Sequence, residues 1–340
     1  ALSFGGPVAQ IAVMHRIVVE EKRWIGEERF LHALNYCMLL PGPEATQLAV
    51  YLGWLLNRAL GGFLAGFLFV LPGVIVMMVL SVFYAGYGER PVVLAVFYGI
   101  KAAVLAIVIE AVIRIGKRAL KTDAQIAIAA LAFVAIFVFA APFPLIIVAA
   151  GVAGFVGARA WPVQFAPAAG HGRAAPMPPP VIAEERLYSV QPSLKRAGLI
   201  SVLFALVWLG PLVAIVAAFG FEDVYSRVGV FFSKLAVVTF GGAYAVLAYM
   251  AQQAVETYGW ITAGEMMDGL GLAETTPGPL IMVTQFVGFL AAFRDPGTLA
   301  PMTAGVLGGL LTTWATFAPS FFLIFLGAPY IEALRQNKAL

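Results

Sequence analysis

Charge is what this sequence has least of. Only 11% of its 340 residues are Asp, Glu, Lys or Arg, while 61% are hydrophobic, against about 25% and 45–50% in a soluble domain. So little polar surface cannot cover a water-soluble core, which excludes a soluble enzyme and makes lipid the solvent. Cysteine is nearly absent: Cys37 stands alone, so an internal disulfide and a CxxC metal or redox site are both ruled out. His15, His32 and His171 lie too far apart for ligand spacing, and neither a metal nor a cofactor is expected. No P-loop offers a nucleotide motor. No basic segment, short apolar stretch and cleavage site stand in series, so no cleaved leader is expected. The net charge of +3 is a small excess of the kind that gathers in cytoplasmic loops, and it gives no reason to expect a nucleic-acid partner.

What the chain does have is long apolar runs. A spanning helix needs about 20 such residues, and runs of this kind cover Phe63–Tyr84, Val92–Ile113, Ala124–Ala141, Pro144–Ala160, Leu199–Phe219, Val228–Met250 and Leu299–Leu326. Lipid forbids open strand edges, so the expected fold is all-α, a polytopic membrane protein in the bacterial inner (plasma) membrane. Residues 161–195 differ in kind. Pro176, Pro178, Pro179 and Pro180 cluster among Ala and Gly with no apolar period, the composition of a solvent-exposed, mobile linker. Three domains are thus expected: a first membrane repeat over 1–160, a cytoplasmic linker over 161–195 and a second membrane repeat over 196–340.

Phe4-Gly5-Gly6 recurs as Phe240-Gly241-Gly242, 236 residues on. The same offset maps Glu20 onto Glu256, Trp24-Ile25 onto Trp260-Ile261 and Pro41-Gly42-Pro43 onto Pro277-Gly278-Pro279. It also aligns His32 with Asp268, which read as the polar face of each broken helix. The second half stops soon after Pro329 without counterparts of the helices over Val92–Ala141, so it reads as truncated. Glycine- and proline-interrupted apolar segments at corresponding positions of two halves are the sequence mark of a transporter binding site. Arg114, Lys117, Arg118 and Lys121 mark one loop as cytoplasmic, and Arg159, Arg173, Arg186, Lys195 and Arg196 put the linker on that side. If each Pro-Gly-Pro segment is one broken span, the repeats are inverted and Arg335 and Lys338 fall inside, the preferred reading. On the same reasoning, re-entrant hairpins would make the repeats parallel.

The interruptions carry the chemistry. Gly5-Gly6 followed by Pro7 reads as a helix start, and Gly241-Gly242 repeats it without the proline. Two prolines around a glycine end one helix and begin another, leaving backbone groups unclaimed on both sides. In lipid such groups are tolerated only where they line a cavity. Pro41, Gly42 and Pro43 present the amides of Glu44, Ala45 and Thr46 beside the Thr46 and Gln47 side chains. In the second half Thr275, Thr276, Pro277, Gly278 and Pro279 do the same, with Thr284 and Gln285 further on. Helix N-termini with hydroxyls and amides suit a tetrahedral oxyanion. The same breaks could also serve merely as kinks for packing.

Phe-Gly-Gly-Pro, Trp-Ile, the run Leu-Pro-Gly-Pro-Glu-Ala-Thr-Gln at 40–47 and Thr-Pro-Gly-Pro-Leu at 276–280 resemble the chromate ion transporter family. The resemblance implies two homologous membrane halves and export of chromate, with sulfate as its chemical look-alike. It covers most of the chain. Among the few charges inside the apolar runs, Lys101 and Lys234 are candidates to attract the dianion, since a buried cation there needs a reason, though a snorkelling Lys234 would serve as well. Glu44 and Glu274 flank the two motifs and are candidates for proton coupling. The function expected is a secondary transporter of an oxyanion, in which a homodimer is allowed for. The rivals are an oxyanion channel and an intramembrane lipid-pyrophosphate phosphatase, the latter disfavoured because no nucleophile or base recurs with basic residues near the breaks.

Overall fold

The computed structural model describes residues 6–88, 90–139, 141, 143–161, 179–183, 187–188, 190–239 and 243–335. Among them the regular elements are helical: α1 Gly6–His15, α2 Glu27–Leu39, α3 Glu44–Tyr87, α4 Pro91–Ala119, α5 Asp123–Phe137, α6 Phe143–Ala160, α7 Leu194–Phe219, α8 Val224–Val238, α9 Ala243–Gln252, α10 Ala263–Thr275, α11 Val283–Arg294 and α12 Pro301–Arg335. Stretches of α3, α4, α7 and α12 are long and apolar enough to cross a bilayer. The protein is an all-α, multi-pass membrane protein.

The chain divides into two compact units, 1–101 with 178–340, and 102–177. The smaller unit holds most of α4 with α5 and α6. There α5 opens on a capping box between Thr122 and Gln125, and Leu131, Phe133 and Phe137 stand exposed, as lipid-facing side chains should. The larger unit holds both Pro-Gly-Pro motifs.

In that unit several helices turn back on themselves. Within α3, Asn57 and Arg58 leave helical dihedrals (φ −148°, ψ 46° and φ 56°, ψ −154°), dividing it into a short limb, 44–56, and a long limb, 59–87. A Cβ added to Gly53 would lie 2.4 Å from the Gly61 carbonyl oxygen, whereas in one straight helix these residues would be about 12 Å apart. The limbs are antiparallel and cross at glycine. The pair α11 and α12 repeats the device, since a Cβ on Gly308 would meet the Gly288 carbonyl oxygen at 2.5 Å.

The Pro-Gly-Pro motifs are also turns. Arg29 on α2 and Tyr51 on the short limb hold the same carboxylate, Glu332, through Nη2–Oε2 at 2.7 Å and Oη–Oε1 at 2.6 Å. Had the segment run on as one broken span, Arg29 and Tyr51 would stand about 33 Å apart. Likewise a Cβ on Gly269 in α10 would touch the Phe286 ring of α11 at 2.6 Å, and Arg294 pairs with Glu265. The two helices α8 and α9 double back too, for the Phe231 ring lies 6.2 Å from Tyr249 and 5.4 Å from Tyr258. The run Val228–Met250, read from hydropathy as one span, is therefore a hairpin. Limbs of 13 residues such as α2 and α10 reach about 20 Å, short of a hydrocarbon core of about 30 Å.

The long helices show how the hairpins are arranged. Along α12, Gly305 packs on Phe289 and Gly308 on Gly288, near the open end of the α10–α11 hairpin. Thr316 then meets Thr284 at 3.5 Å, Ser320 meets the turn at Gly42, and Glu332 reaches the open end of the α2 hairpin at Arg29. Rising along one helix, the contacts pass from the base of one hairpin to its turn, then from the turn of the other to its base. The long limb of α3 runs the opposite course. Gly62 faces Val50, Gly73 faces Pro277 and Gly278, and Tyr84 ends beside Asp268. The two hairpins point at one another from opposite ends of these helices.

The segment expected to be a free linker is partly pinned. Val181 donates its amide to the Arg23 carbonyl at 2.6 Å and Tyr188 to that of Leu55 at 2.8 Å. Leu187 is buried, and Tyr188 sits edge-on to Trp54, 5.0 Å between centroids. Apolar side chains at the end of the proline-rich stretch find a surface on the base of the first hairpin, which composition could not reveal. Residues 162–178, including most of the prolines, lie outside the described residues.

Candidate substrate site

Where the hairpin turns meet the middles of α12 and the long limb of α3, the side chains become polar and fully buried. Gln10, Thr46, Gln47, Thr276, Thr284, Gln285, Thr316 and Ser320 are all almost inaccessible. Both turns contact α12 within one helical turn, at Thr316 and Ser320, a rise of about 6 Å. Each turn also bonds to a residue far away along the chain. The Gly42 amide donates to the Thr239 carbonyl at 2.8 Å, and Gln10 Nε2 donates to the Gly278 carbonyl. Glycine is required at both centres, because Gly42 has φ 118° and Gly278 φ 142°, angles that side chains rarely adopt. Space agrees, since a Cβ on Gly42 would meet Ser320 Oγ at 2.8 Å and one on Gly278 would meet the Gly73 Cα at 3.0 Å.

Part of this polar lining is satisfied internally. Gln47 Nε2 donates to the Pro41 carbonyl at 2.7 Å, and Gln285 Nε2 donates to the Val74 carbonyl at 3.0 Å. Thr313 donates to Gln285 Oε1 at 3.1 Å. The rest is not: Gln10 Oε1, Thr46 Oγ1, Gln47 Oε1 and Ser320 Oγ have no hydrogen-bond partner although buried. Unmet buried polar atoms cost on the order of 1–3 kcal/mol each, so a cluster of them beside a helix N-terminus calls for a polar ligand. Helix 44–56 begins at Pro43, its first intrahelical bond being Gln47 N to Pro43 O at 3.0 Å. The amides of Ala45 and Thr46 have no acceptor within the helix and lie at the positive end of its dipole. The second turn differs, passing through a 3₁₀ turn, Leu280–Met282, before α11. Thr284 and Gln285 then stand in the first turn of α11, both buried.

The residues singled out by sequence fall into three groups. Pro41, Gly42, Pro43, Thr46, Gln47, Pro277, Gly278 and Pro279 form the two turns, and the buried Gly6, with φ 72°, opens α1. Gly5, Gly241 and Gly242 lie outside the described residues. Thr276 is buried at the second turn with its hydroxyl on the Leu272 carbonyl, while Thr275 faces out and bonds back to Gly271 at 2.9 Å. Lys101 is not among the turns. It pairs with Asp268 at 3.2 Å. Lys234 projects from α8 as an exposed side chain, consistent with the snorkelling alternative. Glu44 starts the short limb and Glu274 lies in the last turn of α10, each half-buried. Sequence reasoning missed Gln10, Thr316 and Ser320. They sit in α1 and in the unbroken α12, where no motif announces them. Only Pro319 beside Ser320 and Pro72 beside Gly73 hint at points where the long helices pass the turns.

A large cavity of about 980 Å³ between α3, α7 and α12 is lined by side chains such as Phe63, Leu203 and Trp314, with Thr313 and Tyr225 among its few polar members. Its chemistry suits acyl chains and not an oxyanion. Among the described residues no group of three or more His, Cys, Asp or Glu could hold a metal.

Paired helical hairpins converging on a buried polar cluster give this multi-pass, helical chain the frame of a membrane transport protein. The chromate transporter family matches residues 1–155 and 226–340, and the chain belongs to it. It is 30% identical to the chromate transport protein of Cupriavidus metallidurans over 342 residues, covering all of this chain and 74% of that one. It is 31% identical to that of Pseudomonas aeruginosa, covering 100% of this chain and 72% of the relative. A probable chromate transport protein of Synechococcus elongatus is 28% identical, over 99% of this chain and 75% of the other. No solved structure matches the chain.

Proposed function

We propose that the protein is a secondary transporter that exports chromate, holding the dianion between the two Pro-Gly-Pro turns of a pair of inverted repeats. The observation that carries this reading is the buried cluster of Gln10, Thr46, Gln47 and Ser320 with unpartnered polar atoms at the meeting of the turns. A dianion there would accept from the helix-start amides and from the hydroxyls of Thr46 and Ser320. Backbone donors bind without several fixed charges, which keeps release fast. The opposed course of α12 and the long limb of α3 supports inversion although the Pro-Gly-Pro segments are hairpins. The run Val228–Met250 folds back as well and so removes a second crossing. Bases at opposite ends give each hairpin access to a different face, as alternating access needs. Lys22, Arg23, Arg58, Lys195 and Arg196 gather with the pinned strap toward the base of the first hairpin, which favours that face as cytoplasmic. Each charge moved is worth about 2.3 kcal/mol per 100 mV, so an inside-negative potential favours outward movement of a dianion with about twice that.

The test is flux of labelled chromate and sulfate in sealed vesicles under an imposed potential. Flux should saturate with substrate, chromate and sulfate should compete, and replacing both Pro-Gly-Pro segments by Ala-Ala-Ala should abolish it. Flux that survives that double change would remove the proposed site. Flux that never saturates would favour the channel.

A further inference from the structure

Asp268 has no part in the oxyanion site, yet it is the carboxylate most awkwardly placed in the larger unit. It lies on α10, 4% exposed, in the second turn of a helix that folds back against α11. Its Oδ2 accepts from the Tyr84 hydroxyl at 2.9 Å and pairs with Lys101 Nζ at 3.2 Å. Its Oδ1 is buried without a partner. The groups facing it come from each packed element: Tyr84 on α3, Lys101 on α4, and Glu265 one turn back on α10 itself. On α11, Arg294 is committed to Glu265 and to the Trp260 carbonyl. One cation thus balances one carboxylate whose second oxygen is buried and unsatisfied, and such a group asks for a functional reason.

We propose that Asp268 is a proton-binding site coupled to anion movement, a role that rests on the transport reading above. A proton from water adds to Oδ1, the carboxylate becomes a neutral acid, and Lys101 keeps its charge but loses its counter-ion. The site then gains one positive charge about 13 Å along α10 from the second Pro-Gly-Pro turn. A dianion bound at the turns is stabilised by that cation and repelled by an ionised Asp268. Proton and dianion therefore favour each other's binding and move in the same direction. The proton halves the net charge carried with each dianion. A pH gradient without a potential should draw the anion toward the alkaline side.

The experiment uses the full chain in vesicles holding a pH-sensitive dye, with chromate as the probe. The wild type should accumulate chromate in the alkaline compartment at zero potential and move protons with it. Asp268→Asn should keep potential-driven flux, lose the pH-driven part and move no protons. Asp268→Glu should restore coupling. Retention of pH-driven accumulation by Asp268→Asn, or wild-type flux with no proton movement, would overturn the assignment. A wild type that moves no oxyanion under any gradient would instead sink the transport reading. Should Asp268→Asn fail to fold, Tyr84→Phe decides. Removing a donor to the charged carboxylate raises its proton affinity, so the external-pH midpoint of flux should rise by about one unit. An unmoved midpoint would count against Asp268.

Discussion

The buried carboxylate of Glu332 fastens the end of α12 to both limbs of the first hairpin, and its removal can be followed at one atom. Arg29 and Glu332 are 3% and 1% exposed, 2.7 Å apart, and Tyr51 donates to the other carboxylate oxygen at 2.6 Å. Glu332→Ala leaves the Arg29 guanidinium facing a lost carboxylate in an apolar cluster and strips Tyr51 of a charged acceptor. Breaking a buried pair in this way costs about 3–5 kcal/mol, a large share of a stability of about 5–15 kcal/mol. Cys37, the only cysteine in the chain, is buried in the same cluster as Phe30, Tyr51 and Ala328, so its labelling by a thiol dye reports opening of this hairpin. At a fixed temperature, Glu332→Ala should speed Cys37 labelling roughly a hundredfold to a few thousandfold, since about 1.4 kcal/mol is a factor of ten. Removing both charges, as Arg29→Met with Glu332→Leu, should recover most of the loss, because a buried pair is often no better than an apolar replacement. Labelling of Glu332→Ala at the wild-type rate would show that the pair does not hold the hairpin.

Other outcomes follow from the same contacts. Thr46→Val and Ser320→Ala each remove a hydroxyl offered to the anion and should raise the chromate KM about tenfold to a hundredfold, measured by initial flux, with protein yield unchanged. Gly288→Leu should abolish accumulation of folded protein, because even a Cβ there would lie 1.8 Å from Thr312 Oγ1. Gly151→Leu, in open space, should not, by size-exclusion profile in detergent. Lys234→Gln should leave chromate flux within about twofold of wild type, since an exposed side chain of this kind acts mainly through long-range charge. A larger loss would return Lys234 to the site.

The membrane class and the all-helical fold were legible in residue order, because each rests on local properties. Sparse charge and long apolar runs dictate lipid as solvent, and lipid dictates helices. A glycine between two prolines ends one helix and begins another, so Pro41-Gly42-Pro43 and Pro277-Gly278-Pro279 were found directly, and with them Thr46 and Gln47. Whether a break is a kink or a turn was not legible. A broken span and a hairpin have the same apolar limbs, and only the shared grip of Arg29 and Tyr51 on Glu332 distinguishes them. The pairing of Lys101 with Asp268 and the arrival of Gln10 and Ser320 beside the turns were equally hidden, since they join residues far apart along the chain. The sequence by itself determined that the backbone leaves the helix at the two Pro-Gly-Pro motifs, since the proline ring and its missing N–H are local. It did not do so at Asn57 and Arg58, where no proline or glycine stands. Which side chains meet at those stops was decided only by the packing of α12 and the long limb of α3, because in a uniformly apolar solvent hydropathy does not rank one helix neighbour above another.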